Sequence, residues 1–227
     1  MERQSASTVL PTRPLQPRRA DWPILTALIM LSLIPLLGGI VRLRGLTGGA
    51  TVTPDNARFV SAPLPVILHI LAASLFCLLG AFQFAPGFRR RRPAWHRLAG
   101  RWLIVAGLLT ALSGVWMTVF YAIPQPLQGS LLYIVRLLVG AGMVLSLTLA
   151  WTTVRRKQIG AHRAWMMRAY ALGQGAGTQA LIFVPYTLAL GKPDQLTRDL
   201  LMSAAWVINL AVVELLLRRW TAAWSPA

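Results

Sequence analysis

Long apolar runs, separated by short polar or basic turns, make up most of this sequence. Six of them reach the roughly 20 residues of helix that cross the hydrocarbon core of a bilayer, and they lie at residues 22–41, 64–84, 98–122, 131–154, 164–190 and 200–217. We predict helices rather than strands because the runs are long and because lipid offers no hydrogen-bond partner to open backbone groups. The pattern therefore predicts an all-α fold, a polytopic membrane helical bundle of about six transmembrane helices.

The flanking segments divide the chain into a short tail and one membrane domain. Residues 1–20 are rich in Ser, Thr, Pro and Arg, so we expect a disordered, basic cytoplasmic tail there. The first apolar run is longer than a signal-peptide core and is expected to stay as the first span. We assign residues 21–220 to the membrane domain and residues 64–190 to its core helices. Pro35 and Pro185 lie within runs and are expected to kink the first and fifth helices.

Basic residues fall mainly on one side of the predicted spans. The chain has 23 Lys+Arg and 6 Asp+Glu. If the N-terminus is cytoplasmic, 17 of the basic residues lie on the inner side and 5 on the outer side, with Arg136 inside a span. Cytoplasmic loops carry the excess of Lys and Arg, so both termini are predicted to be inside. Two arginine-rich turns, within residues 89–101 and 155–168, contain most of the inner basic residues.

Composition excludes several classes of protein. Hydrophobic residues make up 56% and charged residues 13% of the chain, whereas about a quarter of the residues in a soluble domain are charged. A formal net charge of +17 suggests nucleic-acid binding by itself, but the arginines lie in turns between spans, so we expect no nucleic acid. We expect these turns to attract anionic lipid headgroups instead. The single cysteine, Cys77, lies within a span and excludes a disulfide framework.

The three histidines each lie near the start of a predicted helix and share one spacing. A glycine follows each histidine eleven residues later, which is about three helical turns and therefore the same helix face. Small residues are typical of faces on which transmembrane helices approach closely. Because the third and fifth helices run in the same direction, their histidines are expected at one level near the inner side. The three pairs are His69 with Gly80, His96 with Gly107, and His162 with Gly173.

Two interpretations of this pattern remain open. In the first, the glycine faces are packing seams and the histidines cap helix ends or contact headgroups. In the second, His96 and His162 are the axial ligands of one b-type haem, because imidazole is a standard haem ligand and bundle cores hold cofactors; His69 is a weaker candidate for iron. Gly107 and Gly173 would then leave room for the ring. Four arginines would bind the propionates, since Arg pairs with carboxylates through two hydrogen bonds: Arg97, Arg101, Arg163 and Arg168.

Few other polar residues fall inside the predicted spans. Arg136 is expected at the same outer depth as His69, with its side chain reaching the outer interface. Glu214 is expected to pair with Arg218, four residues later on the same helix. The amide side chains either line a polar path or bond between helices, and they are Gln83, Gln174, Gln179 and Asn209. The sequence assigns no enzymatic activity, since neither a nucleotide-binding loop nor a Ser–His–carboxylate set is apparent.

Two helix-start motifs resemble those of a known family. The likeness rests on HRxxGR at residues 96–101 and on HRxWMxR at residues 162–168. Both are similar to motifs of bacterial predicted membrane proteins that carry a domain of unknown function. The resemblance covers residues 64–190. It implies a multi-pass protein of the bacterial cytoplasmic (inner) membrane and assigns no activity.

A looser resemblance is to cytochrome b561, in which a four-helix core carries histidines near each helix start and alternate helices share a haem. His69, His96 and His162 match three of these helix starts, whereas the remaining helix has Tyr133 and Arg136 in place of a histidine. This resemblance implies one haem site, between the third and fifth predicted helices.

The sequence leads to three functional hypotheses. The most specific is a transmembrane protein that transfers single electrons through haem b, with a quinone or another redox partner. The second is a small transporter or permease in which the kinked helices move. The third is a non-catalytic membrane partner or assembly subunit that binds lipid or an acidic protein through its basic turns.

Overall fold

The chain folds into a bundle of α-helices. The computed structural model describes residues 22–49 and 51–222, with side chains up to residue 219; the tail expected at residues 1–20 lies outside these residues. Within them there is no strand, so the predicted all-α membrane bundle is confirmed. The helices are α1 (Trp22–Thr47), α2 (Ala57–Ser61), α3 (Pro63–Gln83), α4 (Pro86–Arg91), α5 (Pro93–Phe120), α6 (Ser130–Arg155), α7 (Ile159–Gly173), α8 (Gly175–Leu190) and α9 (Gln195–Ala222), with a 3-10 turn at Gln125–Leu127.

Five of the described helices are long and apolar enough to cross a membrane, namely α1, α3, α5, α6 and α9. The span expected at residues 164–190 consists instead of two helices, α7 and α8, that meet at Gln174. The third span begins earlier than residue 98, because Pro93 occupies the first turn of α5, a position where proline is well tolerated. Each arginine-rich turn therefore runs directly into a helix.

The interruption at Gln174 lies eleven residues before Pro185, the residue expected to kink this span, and Pro185 lies inside α8. The Gln174 side chain is buried, and its Nε2 donates hydrogen bonds to Ser32 Oγ (3.0 Å) and Tyr170 Oη (2.8 Å). Buried amides need such partners. The contact with Ser32 attaches the junction of α7 and α8 to α1.

Four helices form the core of the bundle. Helix α3 packs along α5, α5 along α6 and α6 along α7, and α7 closes the ring by contacting α3. The side chains of Phe76, Leu103 and Leu147 fill the centre, and each is at most 1% exposed. Helices α1, α8 and α9 cover the side of this core. The centre of the bundle is thus closely packed.

The two arginine-rich turns lie at the same end of the bundle. The charge of Arg89, in the first turn, acts on His96 at the start of α5 and also on Arg163 in α7. We call this end the inner face, after its predicted orientation, and the opposite end the outer face. Beside the first turn, Trp95 packs against the rings of Phe82 and Phe88.

Candidate functional site

The two inner histidines are close enough for the charge of one to act on the other. His96 lies in the first turns of α5 and His162 in the first turns of α7. His162 Nδ1 lies 2.8 Å from the carbonyl oxygen of Ala150. A carbonyl oxygen only accepts, so Nδ1 donates this hydrogen bond, and in the neutral imidazole Nε2 is an acceptor. His96 Nδ1 is buried and has no hydrogen-bond partner.

The glycine faces are occupied by aromatic side chains. A Cβ at Gly107 would lie 2.8 Å from Phe76 Cε2, and a Cβ at Gly173 would lie 2.7 Å from Phe76 Cε1. The two glycines therefore face opposite edges of one phenyl ring. A Cβ at Gly80 would clash with the ring of Tyr170. In this structure the three faces are packing seams between helices.

This packing leaves no room for a porphyrin ring between α5 and α7. The space that Gly107 and Gly173 were expected to provide contains Phe76, with Leu103 and Leu147 completely buried beside it. The two histidines lie at the same end of the bundle, but the residues between the helices do not fit a haem. The bis-histidine haem stays a prediction from the sequence.

The arginines expected to bind propionates are placed differently from one another. Both oxygens of Glu214 accept hydrogen bonds from Arg168, at 2.6 Å from Nε and 3.0 Å from Nη2, and the guanidinium lies 4.6 Å from the ring centre of Trp165. This ion pair joins α7 to α9. From the sequence we expected Glu214 to pair with Arg218, four residues later on α9. The other three arginines are exposed near the inner face: Arg97, Arg101 and Arg163.

A cavity of about 350 Å³ lies in the outer half of the bundle. It is bounded by residues of α2, α3, α5, α6, α7, α8 and α9 and by the outer turns. Its deep part is apolar and includes Met143, Leu172 and Trp206. Its polar lining consists of Arg58, His69, Thr110, Thr118, Tyr121, Arg136, Gln179 and Arg198. We call this space the outer cavity.

His69 presents a hydrogen-bond acceptor in the outer cavity. Its Nδ1 lies 3.0 Å from the Thr110 carbonyl oxygen and 3.1 Å from Ser113 Oγ. Since the carbonyl accepts, Nδ1 carries the proton and Nε2 keeps its lone pair. Gly114 makes this position possible, because a Cβ there would lie only 3.3 Å from His69 Cε1.

Three arginines give the outer cavity a positive charge. Arg58 Nη1 is buried without a hydrogen-bond partner, and burial, followed by the nearby charge of Arg42, lowers the pKa of Arg58. Arg136 donates a hydrogen bond to the side-chain oxygen of Gln128. Arg198 Nε donates to the carbonyl oxygen of Leu127 at 3.3 Å. None of these arginines has a carboxylate within ion-pair distance among the described residues.

The acidic residues near the outer face offset only part of this charge, since Asp199 acts electrostatically on Arg136 and Arg198 and Asp55 acts on Arg58. Asp199 is 2% exposed, and its carboxylate accepts hydrogen bonds from the backbone N–H groups of Gly129 (3.2 Å) and Leu132 (3.1 Å). It thereby caps the first turn of α6 from a neighbouring helix. Asp194 is bound by Thr197 at the start of α9, and Asp55 is exposed. The cavity therefore keeps an excess of positive charge.

The sequence indicated only part of this site. It placed His69 and Arg136 at the same outer depth, and both line the outer cavity. It did not select Arg58 and Arg198, because they lie outside the runs that defined the spans. One available signal was their position, since they are two of only 5 basic residues on the side where the charge bias predicts few.

The comparisons with known proteins give one match. A family model described as "Predicted membrane protein (DUF2306)" matches residues 66–217, which extends from α3 to α9 and contains both histidine motifs. No curated protein and no solved structure matches this chain.

Proposed function

The chain belongs to the DUF2306 family of predicted membrane proteins, and on that premise we propose that it binds a small amphipathic organic anion in the outer cavity. One observation carries the proposal. Three arginines and an acceptor nitrogen of His69 line a cavity of about 350 Å³ whose deep part is apolar. This volume lies within the roughly 300–1,000 Å³ of small-molecule sites.

The charge of the cavity favours an anion. Guanidinium groups taken out of water need hydrogen bonds and an opposite charge to offset the cost of burial. Arg58 Nη1 has no hydrogen-bond partner, no carboxylate of the described residues lies within ion-pair distance of Arg58, and the Asp199 carboxylate is already bound by two backbone N–H groups. A ligand carboxylate would give Arg58 and Arg198 charge-assisted hydrogen bonds, which are stronger than hydrogen bonds between neutral groups.

The rest of the lining favours a ligand with an apolar body and one hydrogen-bond donor. Below the arginines the cavity is lined by Val139, Met143, Leu172 and Trp206, against which hydrocarbon or an aromatic ring gains by leaving water. His69 Nε2 accepts a hydrogen bond, so a hydroxyl or N–H group on the ligand adds affinity. The proposed ligand class is a medium-chain or aromatic carboxylic acid.

The closed inner half supports binding from the outer side. Phe76, Leu103 and Leu147 fill the centre of the bundle between the outer cavity and the inner face. Binding to a site closed on one side is the first step of a permease cycle, so this proposal develops the transporter hypothesis. For location we propose the bacterial cytoplasmic membrane, as the resemblance of the two histidine motifs implies, with the side that carries 17 of the 23 basic residues facing the cytoplasm.

The test compares acids with their neutral amides. We expect octanoate and benzoate to bind the detergent-purified protein in isothermal titration calorimetry, and octanamide and benzamide to bind far more weakly. Arg58→Gln should weaken acid binding about 10- to 100-fold, since a hydrogen bond to a charged group contributes about 1.5–3 kcal/mol. Arg58 lies in α2, outside the long helices, so the fold should be retained.

The control variant is Arg44→Gln. Arg44 is also a basic residue near the outer face, but it is exposed and does not line the outer cavity. It should leave the affinity for the acids unchanged. Equal affinity for acids and amides, or an equal loss in both arginine variants, would contradict the proposal.

A further inference from the structure

A second group of polar side chains lies at the inner face, independent of the outer cavity. It lies where the end of α3 meets the starts of α5 and α7, and we call it the inner corner: Gln83, Arg89, His96, His162 and Arg163. We propose that the inner corner binds the phosphate and a hydroxyl of an anionic phospholipid with a polyol headgroup.

The inner corner contains buried polar atoms that lack partners. Gln83 is the last residue of α3, and both its Nε2 and its Oε1 are buried without a hydrogen bond. His96 Nδ1 is in the same condition. Buried polar groups in native proteins nearly always have a partner, and only a few other side-chain atoms of the described residues lack one. Three such atoms at one end of the bundle are available to a ligand.

The charge of the inner corner is positive. Arg89 acts electrostatically on both His96 and Arg163, and Arg97 also acts on His96. Glu214 is the acidic residue of the described chain on this side, and both its oxygens are bound by Arg168. The inner corner therefore favours a ligand with negative charge.

The hydrogen-bond types define the ligand more closely. Arg89 and Gln83 Nε2 are donors, and a phosphate offers several acceptor oxygens to them. Gln83 Oε1 is an acceptor, and Nε2 of the neutral His162 imidazole is another, since His162 Nδ1 donates to the carbonyl oxygen of Ala150. A phosphate alone does not satisfy these acceptors, whereas a headgroup hydroxyl does. Phosphate together with a hydroxylated headgroup matches both sets of atoms.

The surroundings favour a lipid over a soluble phosphorylated polyol. Phe82, Phe88 and Trp95 form an aromatic cluster beside the inner corner, and aromatic side chains are enriched at the headgroup level of membranes. The arginines of residues 89–92 follow directly in sequence, and such basic segments attract anionic lipids. The corner thus lies where a headgroup of the inner leaflet is available.

The test measures lipid retention and stability of the full-length protein in detergent. By native mass spectrometry, phosphatidylglycerol should be retained at least ten times more than phosphatidylcholine. It should also raise Tm, whereas glycerol 3-phosphate, the soluble source of the same chemistry, should not. An equal Tm rise with glycerol 3-phosphate would overturn the assignment to lipid, and equal retention of the two lipids would overturn the site.

Gln83→Leu separates a ligand site from simple packing. The substitution removes both unpartnered amide atoms and keeps a similar size. We expect a higher Tm without lipid and a phosphatidylglycerol retention at least tenfold lower. The control pair Arg155→Gln and Arg156→Gln removes charge from the other inner turn and should leave retention unchanged. A lower Tm of lipid-free Gln83→Leu, or an equal loss of retention in the control, would overturn the proposal.

Discussion

At the scale of single residues, the same glycine spacing along a helix fits both a cofactor face and a packing seam. The sequence identified Gly107 and Gly173 correctly as positions where something approaches the backbone closely. What approaches is Phe76, which belongs to another helix and has no spacing relation to either glycine. The spacing of glycines along one helix predicts which helix face carries small residues. It does not predict which side chain of a neighbouring helix packs against that face.

The seam at Gly107 gives a prediction about stability. In Gly107→Ala the new Cβ would lie 2.8 Å from atoms of both Phe76 and Leu147, so we expect a loss of about 1–3 kcal/mol from overpacking. Phe76→Leu in the same chain should recover part of that loss, because contacting residues couple in a double-mutant cycle. Unfolding experiments in detergent measure both the loss in Gly107→Ala and its recovery in the double variant.

The matched control is Gly100→Ala on the same helix. A Cβ at Gly100 meets nothing within 4 Å, and alanine is favoured over glycine in a helix interior by about 1 kcal/mol. This variant should be as stable as the unmodified protein or more so. Equal destabilisation by the two substitutions would mean that Phe76 does not limit the space at Gly107.

At the scale of helices, five of the six predicted apolar segments are helices long and apolar enough to cross a membrane, whereas the sequence did not predict the interruption of the remaining one. The run at residues 164–190 is continuous in hydrophobicity, yet it divides at Gln174 into α7 and α8. The partner that fixes Gln174 is Ser32, 142 residues away in sequence. Hydropathy along the chain contains no information on such a contact, so the interruption could not be predicted.

The contact between α7 and α9 could not be predicted either, because it also joins residues that are distant in sequence. The sequence suggested a pair within one helix, between Glu214 and Arg218, because they are four residues apart. In the structure Arg168 forms two hydrogen bonds with Glu214 from a different helix. Two parallel N–H donors match the two oxygens of a carboxylate, which makes this geometry stronger than a single contact.

This ion pair predicts a difference between arginine and lysine. Arg168→Lys keeps the charge but loses the paired hydrogen bonds, so we expect the protein to lose about 0.5–1 kcal/mol of stability. The expected loss of stability is small because the side chains of Arg168 and Glu214 are 27% and 41% exposed. Exchanging the partners, as Arg168→Glu with Glu214→Arg, should recover part of the stability lost by Arg168→Glu alone.

Arg101→Lys is the control for that substitution. Arg101 is exposed in α5, and the change should have no measurable effect on thermal unfolding. If Arg168→Lys has no effect either, the bidentate pair does not contribute to the docking of α9.

At the scale of the whole molecule, the all-α membrane bundle and the family followed from the sequence, whereas the best candidate site did not. Long apolar runs suffice for the architecture because a bilayer permits so few alternatives. The outer cavity combines Arg58 from a short helix, His69 from α3 and Arg198 from α9. These residues are distant in sequence and share no motif, so only the fold brings them together.

The packed centre and the haem hypothesis predict opposite absorption spectra. Because Phe76, Leu103 and Leu147 occupy the centre of the bundle, we expect protein purified from haem-replete cells to have no Soret band from a bis-histidine haem. A Soret band that disappears in both His96→Ala and His162→Ala would show instead that the centre opens to hold a haem. A Soret band that disappears only in His69→Ala would identify a haem bound in the outer cavity.

The path of the chain through the membrane depends on α7 and α8. Neither is among the helices long and apolar enough to cross alone, and their 15 and 16 residues span only about 22–24 Å each at 1.5 Å per residue. If the two helices cross as one interrupted span, Arg156 and Lys192 lie on opposite sides; if they do not cross, both lie on the same side.

Cys77 lies within α3 and is only partly exposed, and replacing it with alanine gives a background for single cysteines at exposed positions 44, 90, 156 and 192. We expect a membrane-impermeant maleimide to label positions 44 and 192 in intact cells, and positions 90 and 156 only after permeabilisation. Labelling of 156 and 192 from the same side would reduce the bundle to five crossings and place the C-terminus outside.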